Sequence, residues 1–200
     1  MLTIYGNKIS GSCAKVVYVA RLLKIPYEFR EMDPKKDLQT PEYLRLHPVG
    51  KIPAMDDDGF TLFESGAIIR YLCDKYGSDL YPRDIKKRAI VDQWTDFCVC
   101  HVGPALHKIV MNKVFAPMRG LPVDQAELEK GYKECERFLP AIENQLEKCR
   151  FLAGDKMTLA DINLLTALFY AEKSDFSLAE YRHTDKWRQG MLKVQDFQIE

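Results

Sequence analysis

Three short stretches of this chain carry the residues able to do chemistry. In Asn7-Lys8-Ile9-Ser10-Gly11-Ser12-Cys13 a hydroxyl and then a thiol stand just ahead of a helix-like run. The first turn of a helix gathers N–H groups that no carbonyl of the same helix uses, and it carries the positive end of the helix dipole. A serine there can help hold an anion, or it can simply cap the helix; the local pattern allows both for Ser10. Ser12 is the better cap by position. Cys13, at a helix start, is a candidate redox thiol. The second stretch, His47-Pro48-Val49-Gly50-Lys51-Ile52-Pro53-Ala54-Met55, reads as a loop opening into a strand through a proline. Proline has no N–H and cannot continue a strand ladder at its own position, which leaves the backbone of Ile52 free to pair with something else. In the third, Phe63-Glu64-Ser65-Gly66-Ala67-Ile68, an acid and a hydroxyl enter a helix where an anion is attracted. These features describe a surface for an extended, peptide-like molecule that carries a carboxylate.

Such residues need elements to position them. Over the first 76 residues short strand patterns alternate with helical ones: strands over 2–5, 27–32, 52–55 and 60–63, and helices over 13–24, 41–46 and 65–76. Asp56-Asp57-Asp58-Gly59 signals a hairpin between the last two strands, and Gly77 a helix end. The order is β-α-β-α-β-β-α. Residues 78–84 read as a linker, and everything beyond is helical. A long helix covers 85 to about 113 with a bend at Gly103-Pro104. A second covers 124–148 with one apolar stripe. A third, 159 to about 173, opens with the capping signature Thr158-Leu159-Ala160-Asp161, and its apolar composition makes it the buried centre of the helical part. The stretch 185–200 holds one weaker helix. The expected fold class is therefore α/β followed by all-α, with domains at 1–77 and 85–200.

Composition narrows the function. The chain has 200 residues, with 29 basic and 29 acidic side chains that cancel. A neutral chain has no overall field for nucleic acid or an anionic membrane, and no apolar run reaches membrane-spanning length. No signal peptide is visible, so the expected setting is cytoplasmic. Six cysteines are irregularly spaced. Cys98 and Cys100, with His101, point to different sides of a helix, so free thiols are the better reading and no metal is expected.

The proline loop at Val49-Gly50-Lys51-Ile52-Pro53, the Phe63-Glu64-Ser65-Gly66-Ala67-Ile68 turn and the Thr158-Leu159-Ala160-Asp161 cap, in this order and at these separations, resemble the cytosolic glutathione transferases over nearly the whole chain. The start, Tyr5-Gly6-Asn7-Lys8-Ile9-Ser10-Gly11-Ser12-Cys13-Ala14-Lys15-Val16, is similar to the serine-using theta and phi classes. Gly103-Pro104-Ala105-Leu106-His107-Lys108 and Phe115-Ala116-Pro117-Met118-Arg119-Gly120 look most like phi.

The resemblance implies a thioredoxin-like N-terminal domain, an all-helical C-terminal domain, and a homodimer acting in detoxification. Glutathione is the implied co-substrate and a small hydrophobic electrophile its partner; a peroxide is the other implied target. Ser10 takes the position of the catalytic serine. Its implied role is to donate to the glutathione thiolate, lowering a thiol pKa that starts near 9 by analogy with free cysteine. Ile52 would pair with the cysteinyl unit and Pro53 would be cis. Glu64 and Ser65 would hold the γ-glutamyl end, and Lys51 and Gln39 the glycine carboxylate, with Leu38 standing where the family usually has histidine. The electrophile would lie against Ile9, Gly11, Val102, Leu106 and Val110. The same fold also serves as a non-catalytic interaction module, and a Cys13-based thiol transferase is a further alternative.

Overall fold

Proline, glycine and short polar side chains punctuate the first 81 residues, and the elements fall between them. The computed structural model describes residues 1–169, 171–194, 197 and 199. The elements run β1 (Leu2–Gly6), α1 (Gly11–Leu22), β2 (Tyr27–Glu31), α2 (Pro41–Leu46), β3 (Ala54–Asp57), β4 (Phe60–Phe63) and α3 (Ser65–Lys75). This is the expected β-α-β-α-β-β-α order. The four strands lie in the order β2-β1-β3-β4. β1 runs parallel to β2 and antiparallel to β3, which pairs antiparallel with β4. Every residue of α1 from Cys13 to Ala20 is buried, as expected of a helix apolar on nearly all sides.

Several boundaries differ from the sequence reading by a residue or two, and three of the differences have a plain physical cause. β3 starts at Ala54 rather than residue 52, because Pro53 offers the ladder no N–H. Asp56 and Asp57 belong to that strand, and the turn tightens to Asp58-Gly59, both with positive φ, as two-residue hairpin turns require. α1 starts at Gly11, two residues early, because Ser10 rather than Ser12 is its cap.

The chain divides into two compact units, Met1–Tyr81 with Leu192–Glu200, and Pro82–Met191. The closing segment, which sequence placed with the helical half, thus groups with the sheet; Phe197 puts its ring 5.3 Å from that of Tyr18 on α1.

The helical unit contains α4 (Ile85–Phe97), α5 (Gly103–Val110), a short α6 (Ala116–Met118), α7 (Gln125–Lys148), α8 (Leu159–Ala167) and most of α9 (Arg182–Val194). Wide π-helical turns, Cys98–Val102 and Met111–Phe115, flank α5. Each ends two residues before a proline, with Gly103 N–H bonded to Cys98 and Ala116 N–H to Met111. A proline ring crowds the carbonyl four residues back, and a wider turn makes room for it. The first of these wide turns falls where the sequence reading expected a bend, ahead of Gly103-Pro104. Gly131 lets α7 close on α5: a Cβ there would meet Ile109 Cγ1 at 2.9 Å and the Ala105 carbonyl at 3.0 Å.

α8 is buried from Leu159 to Leu165, as its composition predicts, but it ends at Ala167, short of 173; residue 170 lies outside the described residues. The tail helix runs Arg182–Val194, and residues 195, 196, 198 and 200 of the expected 185–200 lie outside the described residues.

Asp161, 0% exposed, fastens the start of α8. Its carboxylate accepts from the N–H groups of Leu152 (3.0 Å) and Thr158 (2.9 Å), the Thr158 hydroxyl (3.2 Å) and Trp187 Nε1 (3.2 Å). Burial pushes its pKa up to about 6, against the pull of those four donors.

Candidate active site

The sheet register brings three loops to one end. Ala54, the first residue of β3, sits between Tyr5 of β1 and Phe63 of β4. One step beyond those residues lie the loop that leads to Ser10, the Ile52-Pro53 segment, and the Glu64-Ser65 helix entry. The stretches singled out in the sequence therefore converge although up to 55 positions separate Ser10 from Ser65.

Asn7 shapes the first loop. Its side-chain oxygen accepts from Ile9 N–H (3.0 Å), its amide donates to the Met32 carbonyl (3.3 Å), and its backbone carbonyl accepts from Ser10 N–H (3.0 Å). The sequence reading gave Asn7 no role. An asparagine two residues before a backbone N–H is the signal for such a turn. Ser10 then caps α1, its Oγ accepting from Cys13 N–H at 3.4 Å. Capping uses a lone pair, so the bond from Cys13 N–H does not itself consume the hydroxyl proton. Ile9 is exposed and Gly11 half-buried. Cys13 is fully buried; burial pushes its thiol pKa up, and hydrogen bonds to Ser10 and the Asn7 backbone only partly oppose this. That environment disfavours the thiolate a redox role would need.

In the second loop Ile52-Pro53 is cis, as the resemblance implies. Pro53 is buried, Ile52 half-buried and Lys51 exposed. Gly50 has φ +61°, and a Cβ there would meet Gln39 Nε2 at 2.4 Å and the Leu38 carbonyl at 2.5 Å. Gln39 therefore lies over the turn that presents Lys51. Leu38 packs with Tyr43 and Ala54 in a small apolar cluster, so it is a core residue. Val49 N–H and Gly50 N–H are held by Nδ1 (3.4 Å) and the carbonyl (2.8 Å) of His47. Buried against the Phe63 ring (4.8 Å), His47 has a pKa lowered by desolvation, with the Glu64 charge opposing.

In the third stretch Glu64 has φ +67° and its side chain makes no capping bond to α3. A glutamate in this region of backbone space is strained, and such residues gather at ligand sites. The first N–H groups of α3, beginning at Ser65, are thus not closed off by their own cap. Val102, Leu106 and Val110 belong to the helical unit and are buried there, at 1%, 1% and 5% exposure. An apolar helical stripe is more often core than binding wall.

Comparison with known proteins bears directly on this arrangement. Residues 4–80 match the family described as glutathione S-transferase, N-terminal domain, and residues 103–193 the glutathione S-transferase, C-terminal domain. The chain is 37% identical over 166 residues to glutathione S-transferase F10 of Arabidopsis thaliana, covering 81% of this chain and 77% of that protein. It is 33% identical over 191 residues to glutathione S-transferase 2 of Anopheles gambiae, covering 94% and 88%. The crystal structure of glutathione transferase F7 from Populus trichocarpa superposes with a TM-score of 0.91 at 28% identity, covering 98% and 95% of the two chains. The chain belongs to the glutathione S-transferase family. It is a transferase with glutathione as co-substrate, its sheet-bearing part has the thioredoxin-like fold, and the plant F-series relatives fit the phi-like resemblance.

Proposed function

We propose that Ser10 activates glutathione by donating a hydrogen bond from its hydroxyl to the thiolate, which then attacks a hydrophobic electrophile. The observation that carries this is the capping geometry. The Ser10 oxygen faces the first turn of α1 and takes a bond from Cys13 N–H, which draws electron density from the hydroxyl and makes it a better donor. Lowering a thiol pKa by two units requires about 2.7 kcal/mol of preferential thiolate stabilisation. One charge-assisted hydrogen bond helped by a helix dipole is of that size.

Around Ser10 the proposed contacts divide the tripeptide into three parts. The Ile52 backbone, next to Pro53, takes the cysteinyl unit. The Ser65 hydroxyl and the α3 N–H groups take the γ-glutamyl carboxylate, with Glu64 toward the ammonium. Lys51 and Gln39 take the glycine carboxylate. Ile9 and Gly11 are the proposed electrophile contacts on this unit. Reduction of a peroxide by the same thiolate is the second reaction this chemistry allows.

The functional form is proposed to be a homodimer acting in the cytoplasm. Supporting it, the helical unit exposes Ile90 and Val99, and it carries a groove of about 360 Å³ whose lining includes Gln93, Trp94, Asp96, Phe97, Cys100 and His101. No helix among the described residues is long and apolar enough to cross a membrane. Sedimentation equilibrium tests the dimer: a mass of one chain at micromolar concentration would refute it.

The test of the chemistry is the ultraviolet absorbance of bound glutathione thiolate titrated with pH. Wild type should show a thiol pKa well below 9, and Ser10→Ala should restore it toward 9. Binding without a lowered pKa in wild type would instead favour a non-catalytic module.

A further inference from the structure

We propose that the Tyr43 hydroxyl is a positioning residue for glutathione: it sets the plane of the Lys51–Ile52 peptide, and so the direction of the N–H that Ile52 offers to the cysteinyl unit. The inference rests on the glutathione site proposed above.

Tyr43, at 2% exposure, is the buried residue of α2. Thr40 caps that helix by accepting from Tyr43 N–H at 3.3 Å. The ring packs with Leu38 and Ala54, is backed by Ile52 and Leu46, and meets Tyr5 edge-on at 6.3 Å. With the ring so held, its hydroxyl donates to the Lys51 carbonyl at 2.7 Å, a short bond. The Lys51 carbonyl and the Ile52 N–H belong to one peptide unit. In a planar trans peptide they point in opposite directions, so fixing one fixes the other. The donor on the carbonyl also polarises the unit, which makes the N–H a stronger donor to whatever it meets. Upstream, His47 holds the Val49 and Gly50 N–H groups, so the turn is pinned on both sides of Lys51.

The role is distinct from that of Ser10. Tyr43 touches neither sulfur nor electrophile; it acts through a backbone group that binds glutathione equally in the ground state and the transition state. Its loss should therefore raise KM for glutathione and leave kcat alone.

The experiment compares wild type, Tyr43→Phe and Tyr5→Phe. The last removes a hydroxyl from the same aromatic cluster, one that accepts from Arg30 instead of holding the loop. Thermal midpoints establish that all three fold. Steady-state kinetics in glutathione and the bound-thiol pKa are then measured on each. Tyr43→Phe should raise KM for glutathione about fivefold, the size of one neutral hydrogen bond, with kcat and thiol pKa unchanged. Tyr5→Phe should match wild type.

A KM within twofold of wild type in Tyr43→Phe overturns the proposal. So does a matching rise in Tyr5→Phe, which would assign the effect to ring packing. A fall in kcat with a raised thiol pKa overturns it too, placing Tyr43 with Ser10. A wild type that does not bind glutathione would remove the underlying site, a failure recognisable before any variant is made.

Discussion

The starts of α3 and α8 are built from similar residues and do opposite things. At α8, the Asp161 carboxylate reaches back to the Thr158 backbone, and the same group collects donors from Leu152 and Trp187. The end is closed, buried and fully paired. At α3, Glu64 stands at the cap position with an exposed side chain that makes no cap bond, on a backbone held at φ +67°. A helix end left without its cap forgoes about 1 kcal/mol, and a strained backbone costs of order 1 kcal/mol or more. The fold tolerates this at the end of the sheet where the ligand is proposed to sit, and nothing comparable is seen at α8. The start of α1 lies between the two: Ser10 caps it through a lone pair, which does not use up its hydroxyl proton. What stabilises a helix start and what makes it useful draw on the same N–H groups, so a chain can spend each set only once.

Four experiments would break or sharpen this contrast. The largest effect is expected from Asp161→Ala, which strands four donors inside the protein. It should cost about 3 kcal/mol or more in urea denaturation while leaving KM for glutathione unchanged in the fraction that stays folded; a loss under 1 kcal/mol would show that the closed cap does little. Next, Ser10→Ala should lower kcat/KM about 100-fold, the equivalent of two pKa units. Its stability cost, that of a lost cap, should stay near 1 kcal/mol, and parallel losses in both would mean that the serine is only structural.

Third comes pH. The Asp161 pKa is raised to about 6 in the folded protein, above about 3.9 unfolded. The folded state therefore binds more protons in that window. Stability from this group should be greatest below about pH 4, fall as pH rises to 6, and then level off, a change of about 3 kcal/mol. Asp57 of β3 behaves oppositely: pairing with Lys75, with help from Tyr71, lowers its pKa. Its contribution is present above about pH 4 and lost on further acidification. Urea midpoints against pH, for wild type and Lys75→Met, would separate the two limbs. A variant curve that still drops as steeply below pH 4 would discount the Asp57 pair.

The smallest effect is the most diagnostic. Glu64→Gly relieves the strained φ and should leave stability unchanged or raise it by about 1 kcal/mol, yet raise KM for glutathione about tenfold, as for one lost charge-assisted bond. An unchanged KM would mean that the strain at Glu64 serves no ligand.

Local pattern made much of this legible. α2 and β4 coincide with their expected limits, since Thr40-Pro41 and the hairpin glycine punctuate them unambiguously. The capping box at Thr158 and Asp161 was readable for the same reason. The rest was less legible because distance in sequence hides the partner. Ser12 looks like a cap until Asn7 turns the chain and delivers Ser10 to the place. Val102, Leu106 and Val110 form an apolar stripe, but periodicity alone cannot say whether a stripe faces a ligand or other helices. The grouping of the last residues with the sheet depends on Phe197 finding Tyr18, 179 positions away. The proposed site residues Ser10, Ile52, Glu64 and Ser65 stand out through backbone chemistry; Tyr43 does not, because its hydroxyl bond is a product of packing.

The two wide turns around α5 bear on how this chain can change over evolutionary time. Each accommodates a residue beyond the ordinary helical count just ahead of a proline. Exchanging Pro104 or Pro117 for alanine would remove the ring that the turn makes room for and allow it to rewind. A single codon could then rotate the helix that follows by up to about a quarter turn and present different side chains, with no insertion or deletion in the gene. That is a short mutational route to a changed surface on an unchanged frame.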